Sequence, residues 1–417
     1  MAISRLYIRN FKGVDEGRWV DIKPITVFIG ANSSGKSSCI HALACLSQTL
    51  KLPNNSAPII IDDEYANVHL GRFIEVIHSK SYQNTISLGF TTGEIQFVEL
   101  DENEKKPKKR KSKVEVKYEF KCSQRTQDIR IETASINMLD VEFTIKWNGK
   151  SYTVTNKKTS SKFSCSLGPG FLITPDSIFG KTTKNTGDFL PLLAAQSALS
   201  SELLSTCYLG PFRESPRRKY ETWGATPTEV GARGEAAITM LANESFQTTK
   251  RPHIKQIAGW LKKLGLAKEV SIKRVGKSDL VDLKLGLNDG GSFPIADLGY
   301  GLSQVMPVLT QCSFAEKGTT LLFEQPEIHL HTKSSRELAT VFIDTAKEKG
   351  SNIVLETHSP DLVKQFMREL KQGNLQAEDF VLYKVTRENG ATCINQIEID
   401  SGNDFDVYDN WETGISI

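Results

Sequence analysis

The apolar positions fall into two periodicities that divide the chain. Residues 25–29, Ile-Thr-Val-Phe-Ile, form a short β-branched run that predicts a buried strand and breaks at Gly30. The stretch after it, SSCIHALACLSQTL, carries apolar residues at helical spacing, so strand, glycine-bearing loop and helix follow one another directly. From residue 72 to 175 the pattern changes to short alternating runs (TISLGF, EIQFVEL, VEVKYEF, VEFTIKW, SYTVT) separated by Gly, Asn and Lys, which predicts antiparallel hairpins. Between 176 and 290 the runs LLAAQSALSSELLST and IKQIAGWLKKLG are helical in period, and VSIKRV and VDLKLGL read as short strands. After 297 helix and strand alternate: LSQVMPVLTQCSF, TTLLFE, SSRELATVFIDTAKEK, NIVLET, PDLVKQFMREL, DFVLYKV. That alternation predicts a parallel sheet with crossover helices.

Four segments are therefore expected: an N-terminal lobe over 1–71, a β-rich insertion over 72–175, a mixed helical and strand subdomain over 176–290, and a C-terminal lobe over 291–417 that completes the first. No internal repeat is visible, and no heptad pattern is sustained long enough for a coiled-coil arm.

Composition changes this picture little. The 417 residues fit about two to three domains, or one large core with insertions. With 39% hydrophobic and 24% charged residues the chain is neither collagen-like nor disordered throughout. No window approaches the roughly 18 uncharged apolar residues of a membrane helix, and the N-terminus lacks a signal-peptide apolar region, so a cytoplasmic protein is expected. The 7 cysteines are scattered without a C-x-x-C pair, which fits thiols in a reducing compartment better than disulfides or a zinc site. A net charge of +3 is too small to announce a nucleic-acid binder, leaving only local patches to argue that role.

The chemistry lies in four motifs. Gly30-Ala31-Asn32-Ser33-Ser34-Gly35-Lys36-Ser37 satisfies G-x-x-x-x-G-K-[ST] between a predicted strand and a predicted helix. In such a loop backbone N–H groups cradle phosphates, Lys36 neutralises their charge, the Ser37 hydroxyl is placed for magnesium, and the helix start at Ser38 adds its partial positive charge. The strand TTLLFE delivers Glu324 at its C-terminal end, where α/β sheets place ligands, making Glu324 the candidate magnesium-side acid. Pro326 stops the strand, so Glu327 can turn toward the same crevice. A second apolar strand, NIVLE, runs into Thr357-His358-Ser359, and His358 becomes a candidate to contact a γ-phosphate or orient water. Finally DLGYGLSQ places Gly299, Gly301, Ser303 and Gln304 at a helix start, a second anion site that one nucleotide does not need from the same chain. Its economical use is to cap the nucleotide of a second subunit.

Together and in this order, the four motifs resemble the ABC-type ATPases of the RecF/SMC/OLD group. NFKG at Asn10 to Gly13 looks like the opening strand of that group, and EQPEIHLH with ETHS looks closest to its OLD-like branch. The similarity extends to LGPFRESPRR (Leu209–Arg218), VGARGE (Val230–Glu235) and a terminal NWETGI, as in stand-alone bacterial ATPases of that branch associated with anti-phage defence. The resemblance implies an α/β fold of the P-loop NTPase type: a RecF/ABC-like ATPase head with a β-rich insertion and a helical subdomain. It also implies ATP and Mg2+ as cofactors and dimerisation around two ATP molecules, with Gly299, Gly301, Ser303 and Gln304 facing the partner's γ-phosphate.

The sequence departs from the group in two ways. Where ABC ATPases end the acidic strand in Asp-Glu, with the glutamate as general base, this chain has Glu324-Gln325. An amide cannot accept the proton, so either Glu327 serves as base or turnover is slow and ATP mainly holds a closed dimer. OLD nucleases also carry a toprim domain, and the segment after His358 is too short for one, so an effector subunit, a nuclease or toxin encoded nearby, is the expected partner. The tail acids Asp404, Asp406 and Asp409 read as a solvated terminus rather than a metal site. Gln48 is a weak stand-in for the glutamine loop. The cationic block Lys105 to Lys113 reads as a solvated loop tip, and the cluster Arg213, Arg217, Arg218 and Lys219, following the apolar strand YLGPF, reads as structural or nucleotide-proximal; the two together supply the candidate contacts to DNA. Three functions compete: an ATP-dependent regulator of a defence effector, a RecF-like repair factor, and an ATP-bound scaffold that scarcely turns over.

Overall fold

The computed structural model describes residues 2–52, 57–99, 108–175, 189–222 and 224–399. The terminal acids and NWETGI lie outside these residues. Contacts divide the chain into two units: one holds the residues up to Ile22, 37–206 and 387–393, and the other holds 23–36, 207–386 and those from 394 onward.

The first unit is built on a nine-stranded sheet. Its spatial order is Ile173–Pro175, Lys162–Leu167, Tyr152–Asn156, Val141–Trp147, Ile129–Met138, Val114–Cys122, Ile86–Thr91, Arg5–Arg9 and Arg18–Asp21. Neighbouring strands run antiparallel. Val114–Cys122 shows why: every second side chain is buried, the period of a sheet with one face on a core. Two helices, Ser37–Lys51 and Leu190–Leu204, belong to this unit, and Ser47 Oγ donates to Leu203 O at 2.8 Å.

Three expectations change here. The strands from 72 to 175 are not a separate insertion, because Arg5–Arg9 pairs directly with Ile86–Thr91 and the sheet runs across the expected boundary at 71. NFKG is not a strand. The strand ends at Arg9, and Asn10 and Lys12 adopt left-handed φ of 53° and 51° in a turn. The cationic block is not a loop tip in its described part: Lys108–Ser112 is a strand paired with Ile95–Glu99. Backbone pairing with a half-apolar partner holds this strand, although its own sequence shows no alternation.

The second unit carries a six-stranded sheet in the order Thr206–Leu209, Thr320–Glu324, Asn352–Glu356, Ile25–Ile29, Phe380–Glu388, Ala391–Ile397. The four central strands are parallel. Ile25–Ile29, Thr320–Glu324 and Asn352–Glu356 are buried at every position, which explains their continuous apolar character. The core gathers Val27, Phe323 and Leu355 with Val305 and Leu309 of the helix Tyr300–Phe314 and Phe342 of the helix Thr332–Lys349. Phe323 and Phe342 rings lie 5.4 Å apart. Gly350, at φ 59°, ends the helix Thr332–Lys349 in the left-handed conformation. Ser359 caps the helix Pro360–Lys371 by accepting from Leu362 N, with Pro360 at its first position. A small sheet of Glu269–Arg274, Leu280–Gly286, Tyr220–Glu221 and Ser292–Pro294 completes the unit.

Candidate nucleotide site

Parallel register fixes the site. Glu324 is paired with Glu356, and Glu356 with Phe28, so three adjacent strands end at one edge of the sheet. The glycine loop leaves that edge immediately after Ile29. Gly30 has φ 150°, and a Cβ there would stand 2.1 Å from Val385 O, so only glycine permits the exit. Ser33 and Gly35 also have positive φ, 61° and 103°, and Ala31, Asn32 and Ser33 are exposed while Ser34 is buried. The loop thus presents its crest outward.

Lys36 is only 4% exposed. Its ammonium donates to Gly30 O at 3.1 Å and Ala31 O at 2.8 Å, using two of its three N–H donors on the loop itself. Burial lowers its pKa, and the Glu356 carboxylate opposes that shift. Ser37 and Ser38 open the helix Ser37–Lys51.

Glu324 is buried and accepts a 2.6 Å hydrogen bond from Tyr208 Oη, a residue from the sheet's edge strand. Burial first, then Glu324 itself, raises the Tyr208 pKa, so the phenol remains a neutral donor. Glu327 does turn back, as the proline break predicts. Its Oε1 accepts from Thr357 Oγ1 at 2.5 Å and from the backbone N–H of His358 at 3.2 Å. Its Oε2 is buried without a hydrogen-bond partner. Burial raises the Glu327 pKa, with the Thr357 hydroxyl and Arg213 opposing. His358 is half-buried, and its pKa is lowered by burial and by Lys36. Lys36, Glu324, Glu327 and His358 thus gather around the ends of adjacent strands. The charge of Lys36 suits a polyphosphate, and Glu324, an oxygen donor at the sheet edge, suits a hard divalent cation; the close backbone approach at Gly30 suits the same ligand.

The second anion site is only partly open within one chain. Gly299 and Tyr300 are exposed, but Ser303 and Gln304 are buried, and Ser303 Oγ donates to Tyr300 O at 2.7 Å. Gly301 serves packing: a Cβ would lie 2.3 Å from His329 O. At the helix start itself, then, Gly299 and Tyr300 are the exposed residues within one chain, with Asp297 exposed just before them. Gln48 is also reassigned. Its amide donates to Ile60 O and Val68 O and accepts from Val68 N, holding a loop of the first unit.

Sequence reasoning left Glu356 and Tyr208 without roles, and gave Arg213 only as part of a cluster with a structural or nucleotide-proximal role or a DNA contact; its burial takes Arg213 away from any DNA-facing surface. Glu356 had no role beyond ending its strand, and Tyr208 and Arg213 reach Glu324 from more than a hundred residues away. For Glu356 the signal existed, a carboxylate ending an apolar run as Glu324 does. Arg217 and Arg218 lie at the surface on Glu214 and Asp297, Arg218 by two bonds of 3.0 and 2.6 Å. Among the described residues, no helix is long and apolar enough to cross a membrane, and no group of three His, Cys, Asp or Glu is placed to hold a metal.

Two family models match the chain. One, described as an AAA ATPase domain, covers residues 1–168; the other, described as an AAA domain, putative AbiEii toxin, Type IV TA system, covers 175–364. Both are AAA domains, and together they support an ATPase. No curated protein matches in sequence. Solved structures with similarity include the SMC head domain from Thermotoga maritima (10% identity, TM-score 0.44, covering 96% of this chain and 100% of that one). An SMC head bound to the C-winged helix domain of ScpA gives 12% identity and a TM-score of 0.47, covering 96% and 98%. An SMC head with an extended coiled coil, bound to the C-terminal domain of ScpA derived from Pyrococcus furiosus, gives 10% and 0.43, covering 95% and 96%.

Proposed function

We propose that this chain is an ATP-driven switch: it binds MgATP at the Gly30–Ser38 loop, hydrolyses it slowly, pairs with a second copy in the ATP state, and positions a nuclease or toxin effector in anti-phage defence. The observation that carries the ATPase reading is the buried Lys36, held over the glycine loop at the strand edge where Glu324 and Glu356 end side by side. The defence context is supported by the toxin–antitoxin description of the family matched over 175–364 and by the OLD-like motifs.

In this reading Lys36 and the loop amides bind the phosphates. Ser37 and Glu324 would hold a magnesium ion, which would supply charge neutralisation to the bound phosphates. Gln325 cannot accept a proton, so Glu327 takes one from the attacking water through Oε2, while Thr357 and the His358 N–H hold Oε1. His358 orients the water or the γ-phosphate. Deep burial of the base is consistent with slow turnover. A scaffold that binds ATP without hydrolysis is the second reading, favoured by Gln325. Phosphate release by the wild-type protein, Lys36→Ala and Glu327→Gln, with nucleotide binding measured in parallel, separates the two. Hydrolysis lost in both variants, with binding lost only in Lys36→Ala, supports the switch. Hydrolysis unchanged in Glu327→Gln removes the base assignment, and tight binding without turnover in the wild type leaves the scaffold.

A further inference from the structure

Arg213 is buried and points inward from the segment that follows the strand Thr206–Leu209. Its guanidinium makes three bonds, all to backbone carbonyls. Nη1 donates to Gln304 O at 3.2 Å, and Nη2 donates to Glu324 O and Gln325 O, each at 3.1 Å. The first carbonyl lies in the first turns of the helix Tyr300–Phe314, and the other two lie where the acidic strand turns away. That turn is strained, since Gln325 holds φ 46° without being glycine. Its purpose is visible one step on, where it brings Glu327 back to Thr357 and His358.

We propose that Arg213 is a positioning residue: its guanidinium holds the left-handed turn at Gln325 that aims Glu327, and ties that turn to the start of the helix Tyr300–Phe314. This rests on the ATPase reading above. A planar fork reaches carbonyls of two segments at once, which a lysine ammonium at the end of a flexible stem does less well. The same fork places a cation near Glu327 without a hydrogen bond to it, so its hold on the turn runs through the backbone while its charge opposes the rise of the Glu327 pKa. Burying a guanidinium is costly unless its donors are used; here Nη1 and Nη2 are spent on the helix and the turn rather than on a carboxylate, while Nε is buried without a hydrogen-bond partner. None of these hydrogen bonds goes to the loop Gly30–Ser38. Arg213 therefore has no direct part in nucleotide binding and governs the step that needs Glu327 in place.

The test compares Arg213→Lys and Arg213→Met with wild type, measuring kcat for MgATP hydrolysis and, separately, Kd for MgATP. The expected result is a kcat lower by about 10- to 100-fold in Arg213→Met, a smaller loss in Arg213→Lys, and Kd within about twofold of wild type in both, the pattern of a lost partner behind a reacting group. An unchanged kcat in Arg213→Met overturns the proposal. So does a parallel loss of binding and turnover in Arg213→Lys, which describes general support of the fold. Absence of Lys36-dependent hydrolysis in the wild type would instead sink the ATPase reading beneath it.

Discussion

One Glu327 oxygen is fixed by two donors and the other is buried with none, the arrangement that the proposed general base requires. Burial raises its pKa, so the folded protein holds this proton more tightly than the unfolded chain, and that contribution to stability, present below the unfolded-state pKa, is lost as pH rises through the folded-state pKa. Two outcomes follow from this one residue. Glu327→Gln is expected to cut hydrolysis by about 100-fold or more while raising stability at neutral pH by on the order of 1 kcal/mol, read by phosphate release and denaturant unfolding. Turnover in the wild type is expected to fall on acidification at a pH above the usual carboxylate range, since the base must be ionised to act. Thr357→Val removes the hydrogen bond that lowers this pKa and is expected to move the acid limb further up. A limb at ordinary carboxylate pH, unmoved by Thr357→Val, would count against Glu327 as base.

The helix Tyr300–Phe314 shows what periodicity conveys and what it leaves out. Its position is legible, because apolar residues recur at helical spacing after a glycine-rich start. Its packing is not: a Gly-x-Ser-Gln start reads the same whether it faces solvent or a neighbouring loop. In the structure Gly301 lies against His329 O, and Pro307, inside the helix, receives Gly234 of the VGARGE loop, where a Cβ would stand 2.5 Å from the proline ring. The glycines thus record close backbone approach. Gly301→Ala is expected to destabilise the protein by about 1–3 kcal/mol, because the clash is with backbone that cannot rotate away. Thermal unfolding checks this, and an alanine variant as stable as wild type would show that the 326–331 turn yields. The strand Lys108–Ser112 was illegible for a different reason: with no apolar residue it carries no alternation, and only its partner Ile95–Glu99 specifies it.

Across the whole molecule, legibility follows sequence separation. The alternation after residue 297 is local, so the parallel sheet and the strand-end acids could be read from the chain. The pairing of Arg5–Arg9 with Ile86–Thr91, and the reach of Tyr208 and Arg213 to Glu324, join distant segments and leave no periodic trace. The same limit applies to assembly. A single chain leaves Gly299 and Tyr300 exposed at a helix start whose N–H groups favour an anion, while the chain's own phosphate loop supplies another such end. If the exposed end caps the nucleotide of a second copy, pairing must depend on bound ATP and persist when hydrolysis is blocked. Light scattering after gel filtration is expected to give twice the monomer mass for Glu327→Gln with MgATP, less for the wild type as it turns over, and the monomer for Lys36→Ala. A mass indifferent to ATP in all three would separate nucleotide chemistry from assembly and leave Gly299 without a role in trans.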